Sequence, residues 1–88
     1  MAKGVINLKQ VGQVTHYYDK ISVAVINLSS KLKVGETVKF SHHDDEFTQT
    51  VSSMQKDHQV IEKAGKGEEI AIKTDKKVKS GDKVYLVS

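Results

Sequence analysis

The feature that most constrains the fold is a pattern that occurs three times, in which a glycine and an acidic residue precede alternating apolar residues. The three copies read KVGETVKF at 33–40, GKGEEIAI at 65–72 and KSGDKVYL at 79–86. Glycine adopts positive φ without a steric penalty, and the acidic side chain after it can hydrogen-bond the turn backbone. Apolar residues then recur with period two, as in strands. Each copy predicts a turn that leads into a strand, so the chain is predicted to be all-β.

The composition limits this all-β chain to one small domain. With 88 residues, of which 38% are hydrophobic, the chain has a small core, and a chain near this size buries roughly 60–65% of its unfolded surface. Cysteine is absent, so a disulfide framework and a cysteine-based zinc site are excluded. The amino terminus is too weakly apolar for a signal peptide, and no stretch is long enough to span a membrane. We expect a soluble cytoplasmic protein.

The alternation of apolar and polar residues places six strands along the chain. They are predicted at 11–18, 22–28, 37–41, 47–54, 69–74 and 83–87. The run at 23–26 is apolar on both faces, which favours a strand that is covered on both sides. Residues 55–67 are predicted to form a single helical turn or an irregular cover. Because closure removes exposed edges, six short strands favour a small closed antiparallel β-barrel at 10–88, with 1–9 as an N-terminal arm or extra strand.

Lysine supplies all 14 cationic residues, against 11 acidic ones, and gives a net charge of +3. Two groups of lysines lie around the predicted fifth strand: Lys63, Lys66, Lys73, Lys76, Lys77 and Lys79. We predict that these lysines bind a nucleic-acid backbone if the loops that carry them lie at one end of the barrel. The alternative is a solvating surface, because acidic residues are interleaved and no exposed aromatic stripe accompanies the lysines. Without arginine, the chain is poorly suited to reading base sequence.

The densest cluster of possible metal ligands comprises His42, His43, Asp44, Asp45 and Glu46. Neighbouring residues of an extended segment point to opposite sides, so His42 and His43 do not converge easily, and we interpret the segment as a solvated loop. No nucleophile motif is present, and Gly65-Lys66 lacks the spacing of a phosphate-binding loop. We therefore expect no enzyme activity, no cofactor and no bound nucleotide. Of Tyr17 and Tyr18, one is expected in the core and the other outward, where it would be available to a base or a partner.

Six segments of the chain together carry a resemblance to known families. They lie at 12–16 (GQVTH), 21–28, 32–36 (LKVGE), 47–54, 64–70 and 80–82. Their order resembles the second domain of elongation factor Tu and other translational GTPases, and stand-alone elongation factor-like proteins above all. It is also similar to the C-terminal barrel of the collagenase-like peptidase family, some of whose members take part in tRNA or rRNA hydroxylation. The resemblance implies a barrel of the translation-protein type.

Two functions follow from this resemblance, and both are non-catalytic. In the first, the domain is a translation-associated binding module that contacts ribosomal or transfer RNA through its lysines. In the second, it is an accessory barrel that binds a separately encoded collagenase-like or RNA-hydroxylation subunit through protein contacts. A third hypothesis is a metal-dependent enzyme with its site at residues 42–46. The dependence of binding on salt separates the first function from the second, because phosphate contacts release counterions.

Overall fold

The computed structural model of the protein describes residues 8–42 and 45–87, which form strands and no helix. The strands are β1 (Leu8–Tyr18), β2 (Val23–Leu28), β3 (Leu32–Lys33), β4 (Thr37–His42), β5 (Asp45–Thr50), β6 (Met54–Lys56), β7 (Gln59–Ile61), β8 (Lys63–Ala64), β9 (Glu69–Lys73) and β10 (Lys83–Val87). The all-β prediction is confirmed. Since β1 begins at Leu8, residues 1–7 of the predicted arm lie outside the described residues. No helix in the described part of the chain could cross a membrane.

Eight of the strands form one antiparallel sheet, in the order β5-β4-β10-β1-β2-β9-β6-β7, while β3 and β8 pair separately. Residues on one face of this sheet form the core, because side chains alternate along each strand. One row of that face runs through the paired residues Ala24, Ile72 and Met54, all of which are buried. Gly12 brings β1 and β2 close together, since a Cβ at this position would lie 2.7 Å from Cγ2 of Ile26.

The hydrogen-bonded strand order is open, with β5 at one edge and β7 at the other, so the predicted closed barrel is not seen in the described residues. The reason is that the predicted fourth strand, 47–54, is interrupted. Its first part pairs with β4, whereas Met54 pairs with β9. Between them, the carbonyl of Val51 accepts a hydrogen bond from the N–H of Gly35, and the N–H of Val51 donates to the carbonyl of Glu36, so Val51 bonds to a turn rather than to a neighbouring strand.

A side-chain amide joins β5 to the end of β9. The Nε2 of Gln49 donates to the carbonyl of Lys73, and its Oε1 accepts from the N–H of Asp75, each at 2.8 Å. Gln49 is only 7% exposed, so this pair of bonds satisfies an amide that would otherwise be costly to bury. The connection between these two strands therefore depends on one glutamine rather than on a backbone ladder.

Residues 55–67 were predicted to form a helical turn or an irregular cover, but they contain the hairpin of β6 and β7 instead. Asp57 and His58 are its two loop residues, with φ of 52° and 66°. Positive φ at both positions matches the right-handed twist of the flanking strands, and Asp and His enter this region more readily than most residues. Val60 therefore lies on a strand at the sheet edge, and Ala64 belongs to the short β3–β8 ladder.

The three repeated turns use the same hydrogen bonds, which confirms the prediction drawn from their sequences. In each turn the glycine has positive φ, with values of 97° at Gly35, 85° at Gly67 and 98° at Gly81. The acidic side chain accepts a bond from the backbone N–H three residues earlier. These bonds run from Lys33 to Glu36 (2.9 Å), from Gly65 to Glu68 (2.5 Å) and from Lys79 to Asp82 (2.8 Å).

Each of the three turns is also joined to a distant buried residue by a two-way pair of backbone hydrogen bonds, which we name a turn clamp. The glycine N–H donates to the carbonyl of the buried residue, whose own N–H donates to the carbonyl of the acidic residue. The clamped residues are Val51 for Gly35 and Glu36, Leu28 for Gly67 and Glu68, and Val14 for Gly81 and Asp82, with N···O distances between 2.7 and 2.9 Å. Repetition in the sequence therefore reflects repetition in the architecture.

Candidate functional site

The structure separates the six predicted nucleic-acid-binding lysines into two groups. Lys73 ends β9, and Lys76, Lys77 and Lys79 follow in the connection to β10. Lys63 in β8 and Lys66 in the turn before β9 lie at the opposite end of that strand. At about 3.3 Å per residue, β9 separates its first residue, Glu69, from Lys73 by roughly 13 Å. The two groups do not share one end of the sheet, and their role in nucleic-acid binding stays a prediction.

The ammonium group of Lys76 lies 5.9 Å from the centre of the Phe47 ring, within the range of a cation–π contact. Phe47 stacks in turn on the buried Phe40, with 5.1 Å between ring centres. This lysine is therefore held against β5. Its contact with the ring reduces the conformational freedom of its side chain relative to that of a fully solvated lysine.

Lys63 meets two lysines that the sequence prediction did not select. Lys33 pairs directly opposite Lys63 in the β3–β8 ladder, and Lys31 lines the same groove of about 590 Å³. Like charges directly opposite each other on a ladder are destabilising. The carboxylates of Glu36 and Glu68 line the groove too, and they moderate its charge while they accept the turn bonds.

The predicted histidine and acidic cluster is divided between β4, β5 and the residues between them. His42 ends β4, with its Nδ1 2.5 Å from Oδ1 of the buried Asp82. His43 and Asp44 lie outside the described residues. His58 stands in the β6–β7 turn. Among residues 8–42 and 45–87, no group of three or more His, Cys, Asp or Glu side chains could hold a metal ion.

Two ion pairs fix the carboxylates of Glu46 and Glu68. The hydrogen bond from Lys39, at 2.8 Å, lowers the pKa of Glu46. Lys56 lies 2.6 Å from Glu68 and lowers its pKa, with help from the N–H of Gly65, while the same contact raises the pKa of Lys56. These groups stay charged at neutral pH, so Glu68 acts as a turn residue and ion-pair partner.

The outward side of β1, β2, β9 and β7, together with the turn between β1 and β2, carries a set of apolar side chains, which we name the outer apolar face. Its members are Tyr18, Ile21, Val23, Val25, Val60 and Ala71. Register places most of them together, because Val25 pairs with Ala71, Ala71 with Gln55, and Gln55 with Val60. A hollow of about 530 Å³ lies in this face, between Tyr18 and Ile21 on one side and the β6–β7 turn on the other.

Sequence reasoning found only part of this face. It predicted that one tyrosine would point outward, and Tyr18 is 50% exposed while Tyr17 packs against the core. It also noted that 23–26 is apolar on both faces, yet Val23 and Val25 are only half-buried. Ile21 and Val60 were missed because both lie beside turns, where an isolated apolar residue is an ordinary surface feature.

Comparison with known proteins identifies the domain type. Residues 7–83 match the family model described as the peptidase family U32 C-terminal domain. An uncharacterized protease of Methanocaldococcus jannaschii is 38% identical over 79 residues, which make up 89% of this chain and 19% of that protein. The chain therefore spans about a fifth of the length of this curated relative.

Crystal structures of the C-terminal domain of a Geobacillus thermoleovorans protein assigned as a U32 peptidase have the same fold. A selenomethionine variant gives a TM-score of 0.81 and covers 86% of this chain and 96% of that chain; another gives 0.83 and covers 89% and 91%, both at 15% identity. The comparisons support the resemblance to collagenase-like C-terminal domains and not the resemblance to elongation factor Tu. The chain belongs to the peptidase U32 C-terminal domain family.

Proposed function

We propose that this domain is a non-catalytic accessory module that binds a chain of the U32 peptidase family through protein contacts. The observation that carries the proposal is the family match over 7–83, joined to a relative in which the matching part is only 19% of the protein. A domain that recurs as a small part of longer proteins is suited to working beside another domain. The partner is either the rest of the same protein or a separately encoded chain.

The geometry of the polar side chains supports an accessory role. The three acidic residues of the repeated turns accept bonds from the turn backbone, and Asp82 also meets His42. The hydroxyl of Thr15 donates to the carboxylate of Glu69 at 3.2 Å. Each of these groups therefore has a structural partner that accounts for its position.

Capture of the tagged protein from a native lysate of its source organism tests the proposal. We expect a U32-peptidase-family chain to be retained in about stoichiometric amount, and to stay bound after ribonuclease treatment and in high salt, because apolar contacts do not release counterions. Mass spectrometry identifies the retained chain. Recovery of ribosomal components that ribonuclease removes, without any U32-family chain, would favour the translation-linked function instead.

A further inference from the structure

The outer apolar face is where the described surface departs most from that of a solvated sheet. Four large apolar side chains are exposed among the described residues, and three of them, Tyr18 (50%), Ile21 (60%) and Val60 (75%), belong to this face. Exposed apolar side chains that gather on one face mark interaction sites more often than scattered ones do. Building on the proposed function, we infer that the outer apolar face is the surface that docks on the U32-peptidase-family chain.

The same sheet provides an internal comparison. The outward positions of β4 are Thr37, Lys39 and Ser41, which alternate with the buried Val38 and Phe40. This is the ordinary pattern of an antiparallel sheet with one face in water. On β2 and β9 the neighbouring outward positions Val23, Val25 and Ala71 are apolar instead. The remaining outward positions of these strands, at their ends, are polar: Asn27, Glu69 and Lys73. The outer surface is therefore polar along β4, whereas β2 and β9 present a group of apolar side chains between polar strand ends.

The edge strand next to this face carries no charge. β7 is the edge strand and its residues, Gln59–Ile61, include no charged residue. Natural edge strands are usually blunted by charges, and the opposite edge has the Lys39–Glu46 ion pair. An apolar face that ends at an uncharged edge fits a partner that covers both.

The rest of a U32-family protein is the occupant that fits best. In the Methanocaldococcus jannaschii relative about four-fifths of the chain lies outside the matching region, so a domain of this type has a large neighbour. Contacts between domains of one chain typically bury roughly 600–1,500 Å², which requires a broad surface rather than a pocket. Both signs of charge border the hollow, at Lys56, Asp57 and Glu69, so an acidic or basic ligand is not favoured.

Two charge substitutions test this surface, with one matched control. Ile21→Glu and Val60→Glu place a carboxylate on the face, and Leu8→Glu makes the same change at the fourth exposed apolar residue, at the start of β1. All three residues are exposed, so we expect each variant to fold, as checked by circular dichroism and urea unfolding. The U32-family chain retained by the wild-type protein is purified whole and titrated against each variant. We expect Kd to rise at least tenfold for I21E and V60E and to stay within about twofold for L8E.

Each result has a definite reading. Equal Kd values for the wild type and the two face variants would overturn this inference and leave the proposed function standing. Failure of the wild-type protein to bind any U32-family chain would instead overturn the proposed function, and this inference with it. If sedimentation shows a wild-type dimer that both face variants convert to monomers, the occupant is a second copy and the inference is wrong.

Discussion

At the scale of single residues, the carboxylates of the three repeated turns differ chiefly in burial. Asp82 is 4% exposed and lies between the N–H of Lys79 and the ring of His42. Glu36 makes the equivalent bond to Lys33 from a more exposed position. Removing a buried acceptor leaves its donors without a partner, whereas water replaces an exposed one. The cost of losing each carboxylate should therefore follow its burial.

We expect Asp82→Ala to reduce the free energy of unfolding by about 1–3 kcal/mol, because the N–H of Lys79 loses its buried acceptor. Glu36→Ala, which removes the matching bond from an exposed turn, should cost less than about 1 kcal/mol. Urea unfolding of both variants measures the two losses. Asp82→Asn keeps an acceptor oxygen and should fall between Asp82→Ala and the wild type. Equal losses for the two alanine variants would show that burial does not decide the cost.

At the scale of elements, the β6–β7 hairpin has two consecutive loop residues with positive φ and no glycine at either position. Asp57 and His58 both have positive φ, where Asn followed by Gly is the strongest combination for a two-residue loop. The cost of this conformation is small for Asp and His but not zero. The hairpin is therefore an element that substitution can improve.

The double substitution Asp57→Asn with His58→Gly should raise the free energy of unfolding by about 0.5–1 kcal/mol, because both new residues favour positive φ. The same pair placed at Asp19 and Lys20 is the control. Those two residues are not among the described positions with positive φ, so glycine there should only add unfolded-state entropy and destabilise the protein. Thermal and urea unfolding compare the two variants. A gain at both places would mean that loop conformation is not the cause.

Sequence reasoning succeeded where a residue type dictates a backbone conformation. The glycine turns fixed the starts of β4, β9 and β10, because positive φ at Gly35, Gly67 and Gly81 is chemically required. It failed for β6 and β7, whose loop has no glycine, and it predicted a helical turn or an irregular cover there. Three-residue strands are too short for their period to be told from a helical one.

The candidate site was less predictable than the fold because it depends on register. The lysines were grouped by their order in sequence, yet β9 carries Lys66 and Lys73 to opposite ends. Val60 and Val25 share a face only through the pairs that run across β6 and β9. No local pattern reports which strands become neighbours. Long-range pairing therefore decides the site, although local chemistry decides most of the strands.

At the scale of the whole molecule, the exposed ion pairs give stability a definite dependence on pH. The pKa values of Glu46 and Glu68 are lowered from 4.5, so the stability they add is complete above that pH and is lost as pH falls. The pKa of Lys56 is raised from 10.5, so its contribution is complete below that pH and is lost as pH rises past the raised value. A broad plateau should separate the two limits.

We expect the urea midpoint to be flat near neutral pH and to fall below about pH 4.5 as these glutamates are protonated. Lys56→Met should make that fall shallower, because Glu68 then loses the partner that contributes most to lowering its pKa. Lys20→Met removes a lysine that forms none of the ion pairs of the described residues and is the control. An unchanged acid slope in Lys56→Met would show that the Lys56–Glu68 pair does not couple to folding.

Charge reversal of Lys76, Lys77 and Lys79 separates the two functions of the whole domain. We expect the triple glutamate variant to bind the U32-family chain within about twofold of the wild type, because the outer apolar face carries that contact and salt screens distant charges. Any RNA binding by the wild type should be lost, together with its salt dependence. Lys63→Glu with Lys66→Glu reverses the other group as a control. Unchanged RNA affinity in the triple variant would rule out these lysines as its site.

The three turn clamps are nested along the chain. The clamp between Gly35 and Val51 lies within the segment joined by Leu28 and Gly67, which lies within the segment joined by Val14 and Gly81. The entropy lost on closing a loop grows with the logarithm of its length, so each inner clamp, once formed, shortens the loop that the next must close. A topology dominated by distant pairings ordinarily folds slowly. In this one the clamps can form in order from the centre of the chain outward, so that no single step closes a long loop.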